Sequence, residues 1–176
     1  MIETAVVVAV LLAMLMGVYS VSQFASDQNT AGTSTRAGAR LAGELGNNNY
    51  GIGSVKVGCQ TTSTDPCVVD RQIVQVVCQI VAGMPFATSV DEIDIYRPTS
   101  ADGSSGDRYD RYTSCTPAAA PIGGAAYTLD LRTQIHPNES FLGVSVKYTY
   151  KSPTPILPLN TQATVYTVVQ LSPRFT

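Results

Sequence analysis

The chain has 176 residues and a formal net charge of −2, and only 14% of its residues are charged. It has no basic stripe and no excess of Lys or Arg, which argues against a nucleic-acid partner. The length suits one globular unit plus one extended element.

The first 28 residues, MIETAVVVAVLLAMLMGVYSVSQFASDQ, hold a large share of the apolar side chains. From Ala5 to Tyr19 there is no charged or amide side chain. Ser20, Ser22 and Gln23 then interrupt an apolar run that reaches Ala25. A membrane-spanning helix needs about 20 mostly apolar residues, so the run is just long enough. A signal peptide would carry a basic leader, and no Lys or Arg occurs before Arg36. A plain anchor usually has flanking positive charge, whereas the flank here is Glu3. The third reading is a pilin-type helix, trimmed so that Met1 is the mature start. Glu3 is costly to desolvate at the edge of an apolar run unless it is paired. A helix N-terminus favours it, and so would an α-amino group, its own or that of a neighbouring subunit. Its plainer role is that of a first-turn acid at a membrane interface.

The helical pattern continues through residues 26–46, which contain no Pro and end at Gly46 before Asn47, Asn48 and Asn49. That combination is a helix stop. Ala31, Thr35, Gly38, Ala42 and Leu45 form a stripe of small residues of the kind that lets helices approach closely. Arg36, Arg40 and Glu44 lie on a neighbouring face, with Arg40 and Glu44 at i,i+4 spacing. A helix over residues 2–46 would be roughly 65–70 Å long, more than an anchor needs and suited to a core of staggered helices. Along it, Glu3, Ala5, Val8, Leu12, Leu15, Tyr19, Arg36 and Arg40 are the candidate assembly residues. The expected division is an assembly helix at 1–46 and an extracellular head at 47–176.

The head contains all four cysteines, Cys59, Cys67, Cys78 and Cys115. An even count in a Ser/Thr-rich chain points to two disulfides and an oxidising compartment. No CxxC pair supports zinc. Four cysteines allow three pairings. Cys59–Cys67, closing a local loop, with Cys78–Cys115, joining helix to hairpin, is the preferred one. VKVGC (55–59) reads as a short strand. Residues 67–83 read as an amphipathic helix, with Val69, Ile73, Val76, Val77, Ile80 and Val81 on one face and Asp70, Arg71, Gln72, Gln75 and Gln79 opposite. A strand is the alternative there, because Val and Ile dominate.

The period then changes to two. In residues 90–98, Val90, Glu92, Asp94 and Tyr96 alternate with Asp91, Ile93 and Ile95. A loop at 100–108 leads into 110–115, making a hairpin. Residues 116–126 read as a connecting loop. Strands follow at 126–135, 141–152 and 161–172, with a Pro-rich crossing at 153–160. Val144, Val146, Tyr148 and Tyr150 share one face of the second of these. The expected fold is α+β: a long N-terminal helix, then a small antiparallel sheet packed on a short amphipathic helix and held by disulfides.

Little in the head suggests chemistry. His136 is the only histidine and sits beside Pro137 in a turn-like stretch. GxSxG, GxxxxGK[ST] and HExxH do not occur in the sequence. The expectation is no enzyme, no cofactor and no metal. Asp102, Asp107 and Asp110 could offer oxygens to calcium, but their spacing does not fit an EF-hand and a solvated hairpin tip is the simpler reading. Asn138 begins an Asn-Glu-Ser sequon, and Thr61 and Thr62 are candidates for O-linked sugar. The strand tyrosines Tyr148, Tyr150 and Tyr166 are read as packing residues rather than a conducting stack.

Three stretches carry a family resemblance: ETAVVVAVLLAMLMGVYSVSQF, STRAGARLAGE (34–44) and VSVKYTYKSPTPIL (144–157). In this order they make the chain resemble the TadE-like pilins of the tight-adherence machinery, relatives of type IV pilins. The proline often found within that family's apolar segment is missing here, which implies a straighter helix. The resemblance implies membrane residence before assembly, processing by a prepilin-type peptidase and export through an inner-membrane assembly platform. It also implies a homo-oligomeric filament at the cell surface with a role in adhesion, either as a major subunit or as a minor, priming one. The rival is a single-pass membrane protein with a small binding head that never polymerises.

Overall fold

The computed structural model describes residues 2–45, 68–84, 87–113, 115, 127, 131–132, 140–152 and 160–172, with backbone only at 2–5, 68 and 87–88. Helix α1 (Ile2–Leu45) is followed by α2 (Val68–Val81) and four strands. These are β1 (Ala87–Pro98), β2 (Gly106–Tyr112), β3 (Phe141–Lys151) and β4 (Asn160–Gln170). The sheet is antiparallel with order β2-β1-β3-β4. This is the expected α+β architecture.

α1 is one helix of 44 residues, about 66 Å at 1.5 Å per residue. It stays helical through its Ser/Thr-rich middle because the hydroxyls bond back to its own carbonyls. Thr30 donates to Ser26 O, Thr33 to Asn29 O, Ser34 to Ala31 O and Thr35 to Gly32 O, at 2.7–3.0 Å. Those bonds let Ser34 and Thr35 be buried at low cost.

Both helices pack on one face of the sheet. The core joins Ala31, Ala39 and Ala42 of α1, Ile73 and Val77 of α2, Ile93 and Ile95 of β1, and Val144, Val146, Tyr148 and Tyr150 of β3. The expected packed face of β3 is therefore correct in all four residues. In α2 the buried face includes Val74, Cys78 and Asp70, while Val76 and Ile80 are only half-buried. The expectation that Asp70 faces solvent is overturned, because an ion pair holds it inside.

Strict alternation in β1 puts Asp91 on the same face as Ile93 and Ile95. The pairing with β3 is irregular between Val90 and Glu92, and such a bulge shifts the side-chain register. Asp91 consequently lies on the outer face, where Thr149, Gln162 and Ser89 donate to it. The tip of the first hairpin is also shorter than expected. Strand β2 already begins at Gly106, and Gly103 turns the chain with φ +77°. The strand expected over 126–135 is not seen in its described residues: Leu131 lies in a short 3₁₀ turn and Tyr127 and Arg132 are irregular. Both are recruited to a buried polar node instead. The expected strand at 55–59, the crossing at 153–159 and His136 lie outside the described residues.

Candidate functional site

α1 has two halves with opposite surroundings. Large apolar side chains between Val6 and Val21 are 41–70% exposed, and they lie all around the helix. No polar face accompanies them. A helix apolar on every side is suited to an apolar environment on every side. It is long and apolar enough to cross a membrane. The head first covers the helix at Ser20, which is fully buried and within hydrogen-bond distance of Ser152 Oγ (3.3 Å). The uncovered stretch from Val6 to Tyr19 spans 14 residues, or roughly 21 Å at 1.5 Å per residue.

Among the candidate assembly residues, Val8, Leu12, Leu15 and Tyr19 all belong to this uncovered half. The backbone of Glu3 and Ala5 is helical, and their side chains lie outside the described residues. Arg36 and Arg40 are exposed near the other end. Arg40 reaches Glu44 at 3.1 Å, as the i,i+4 spacing predicts. With Gly43, Val168 and Gln170 they line an open groove of about 320 Å³ between α1 and β4.

The small-residue stripe has a different use from the one expected. Ala31, Thr35 and Ala42 are fully buried inside this same chain. Thr35 Oγ1 and Thr167 Oγ1 lie 2.9 Å apart, and Gly38 sits beneath Val77, Ile73 and Val144. The close approach that the stripe allows is made to α2 and the sheet, so it gives no support to helix–helix packing between subunits. Stepped back by one, two and three turns, the same stripe reaches Asp27, Phe24 and Ser20. That extension is the signal that would have placed all three at the seam. Phe24 meets Tyr150 edge-on with centroids 5.2 Å apart, and the Tyr150 hydroxyl donates to Ser20 O at 3.1 Å.

A second buried group was not foreseen from the sequence. Arg132, fully buried, binds Asp70 of α2 through two contacts at 2.5 and 3.0 Å and Asp110 of β2 at 3.1 Å. It also donates to Tyr127 O at 2.7 and 3.1 Å and stacks 4.8 Å from that ring's centroid. Burial, with the Asp70 carboxylate adding to it, pushes Asp110 up to about 6 against the pull of Arg132. The node joins α2, β2 and the segment at 127–132. Next to it, Cys78 and Cys115 form the expected disulfide. Cys59 and Cys67 lie outside the described residues, as do Asn138, Thr61 and Thr62.

The three aspartates considered for calcium do not converge. Asp102 caps the hairpin tip through Ser104, Asp107 pairs with Arg97, and Asp110 belongs to the buried node. No group of three metal-ligating side chains occurs among the described residues. The outer face of the sheet carries cross-strand ion pairs of its own. Arg111 bridges Asp94 (2.8 Å) and Glu92 (3.5 Å), and Lys147 reaches Glu92 at 3.5 Å.

The long helix with its bare apolar half is also where a known family matches. The family described as TadE-like protein matches residues 1–40. The N-terminal helix is similar to that family over this segment. Comparison with curated proteins and with solved structures finds no match. The TadE-like segment includes the uncovered half and the first part of the stripe, and it stops before the last turn of α1. The head thus stands on a helix that is similar to the TadE-like family and is long and apolar enough to cross a membrane.

Proposed function

We propose that this chain is a structural subunit of a pilus-like surface filament that serves adhesion. The observation that carries the reading is the half-bare helix: an apolar cylinder continuous with a helix that is rigidly built into a folded head. In the membrane the cylinder is covered by lipid. On assembly, lipid contacts are exchanged for contacts with the same segment of neighbouring copies, at about 25 cal/mol per Å² of apolar surface kept from water. Glu3 sets the register between copies, because an unpaired carboxylate in that packed core is penalised. A prepilin-type peptidase prepares the chain and an inner-membrane platform extrudes it. The function is structural rather than catalytic.

The test is immunogold electron microscopy of intact cells with an antibody raised to residues 50–176, for the wild-type chain and for Glu3→Ala. Gold spaced along thin fibres in the wild type, and loss of those fibres with normal head folding in Glu3→Ala, is the expected result. Gold confined to the envelope would overturn the filament. A normal fibre yield from Glu3→Ala would remove the register role alone.

One observation favours a second reading, a membrane-anchored head that does not polymerise. The small-residue stripe, the part of the helix best suited to close helix contacts, is already used inside the subunit. Envelope-only labelling in the same experiment is the outcome that reading expects.

A further inference from the structure

We propose that Asp27 is a proton-operated catch between α1 and the sheet: it carries a proton while the helix is docked, and losing that proton loosens residues 20–31 from the head. The inference does not depend on the filament reading, because it concerns the seam within one subunit.

Asp27 is fully buried, and among the described residues neither of its carboxylate oxygens has a hydrogen-bond partner. The hydroxyl of Tyr148 is likewise buried and without a partner. Buried polar groups are nearly always paired, so two orphans in one seam call for an explanation. The ionisable groups facing Asp27 are Tyr148 and Tyr150 from β3, with Tyr19 of α1 next to Tyr150. β4 presents Val165 against Gly32 at this level, and Val165 does not titrate. Among the described residues no ion pair reaches Asp27. Lys147 of β3 is turned to the other face, where it pairs with Glu92.

A carboxylate in this place would be a desolvated, uncompensated charge. A neutral carboxyl beside a neutral phenol leaves only two uncharged groups unsatisfied, a much smaller cost. Burial accordingly moves the Asp27 equilibrium toward the protonated form. The docked helix therefore binds a proton that the released helix gives up near the ordinary aspartate value. Between that value and the higher docked one, the docked state holds more protons, so docking weakens as pH rises. Asp27 stands about two turns beyond the point where the head first covers the helix. Its charge state thus governs the stiffness of the joint between the membrane-type half of α1 and the head.

The experiment is hydrogen–deuterium exchange on the full chain in detergent micelles from pH 3.5 to 8, corrected for intrinsic exchange. The wild type should lose protection in residues 20–31 as pH rises from the ordinary aspartate value through the higher docked one. Asp27→Asn should show no such loss and should exceed the wild type in protection at pH 8. A pH-independent wild type overturns the proposal, as does an equal loss in Asp27→Asn. The titration of Asp110 reads out separately, in the amides of α2. Should Asp27→Asn fail to fold, NMR titration of the Asp27 carboxyl in the wild-type chain decides. A midpoint well above 3.9 supports the catch, and one at the ordinary aspartate value, about 3.9, overturns it.

Discussion

Gly38 of α1 and Val77 of α2 meet with no space for a side chain between them. A β-carbon built at Gly38 would lie 2.8 Å from Val77 Cγ2 and 3.4 Å from Ile73 Cγ2. Val77 is β-branched and enclosed by the core, so it has little freedom to yield. Gly38→Val should therefore destabilise the fold by about 1–3 kcal/mol through overpacking. Gly32 provides the contrast, since its β-carbon would make an ordinary 3.9 Å contact with Val165. Gly32→Ala should stabilise by about 0.5–1 kcal/mol through helix propensity. Thermal melts followed by circular dichroism check both, and an unchanged melt for Gly38→Val would contradict the packing argument.

The buried node has a pH signature. The Asp110 value in the folded chain, about 6, lies above the ordinary 3.8. The folded state thus binds the extra proton between about 4 and 6. Stability from this group is fully present below that window and is lost as pH rises through it. The difference of roughly two units sets a ceiling of about 3 kcal/mol. Asp110→Asn should flatten the slope of stability against pH between 4 and 6 and leave Arg132 paired with Asp70. Arg132→Met should behave otherwise. It strands two buried carboxylates and should cost about 3–5 kcal/mol at pH 7. Urea titrations at pH 4, 6 and 7 separate the two variants.

The Cys78–Cys115 bond spans a sequence separation of 37 and ties α2 to the end of β2. On the chain-entropy account, closing such a loop stabilises the fold by about 3–4 kcal/mol. Cys115→Ser should lower the midpoint of denaturation accordingly. Reductant should lower the wild-type midpoint by a similar amount while leaving the variant's own Cys78–Cys115 contribution, already lost, unaffected. A wild-type midpoint insensitive to complete reduction would contradict the assignment of stability to this bond.

Arg40 and Glu44 are exposed, and their i,i+4 pair should contribute no more than about 0.5 kcal/mol. Arg40→Ala should leave the head's melting curve unchanged. If Arg40 acts in assembly, fibre yield should fall in that variant with folding intact. Normal yield would confine assembly to the apolar half.

Some of this molecule could be read from local pattern. The uninterrupted α1, the amphipathic period of α2 and the alternation of β3 depend on neighbours within a few positions, and spacing reports such neighbours directly. The bare apolar half was legible for the same reason: fifteen residues without a charged or amide side chain need no partner to be recognised. Of the three stretches that carried the resemblance to TadE-like proteins, the apolar start and most of 34–44 fall within the matched residues 1–40, and 144–157 does not.

Other features depended on chain segments far apart in sequence. That the small-residue stripe meets α2 and β4 of its own chain rather than a helix of another subunit is decided by where the sheet docks. Thr35 and Thr167 are 132 positions apart, and no period connects them. Arg132, Asp70 and Asp110 each look like ordinary surface charges in sequence and become one buried group only when α2, β2 and the 127–132 segment converge. Asp91 changed faces because a bulge, a property of strand pairing, broke the two-residue period. The sequence alone determined which half of α1 must avoid water, since apolarity belongs to the side chains themselves. Only the tertiary structure decided which half is already covered and which charges lie inside, because burial depends on every neighbour at once.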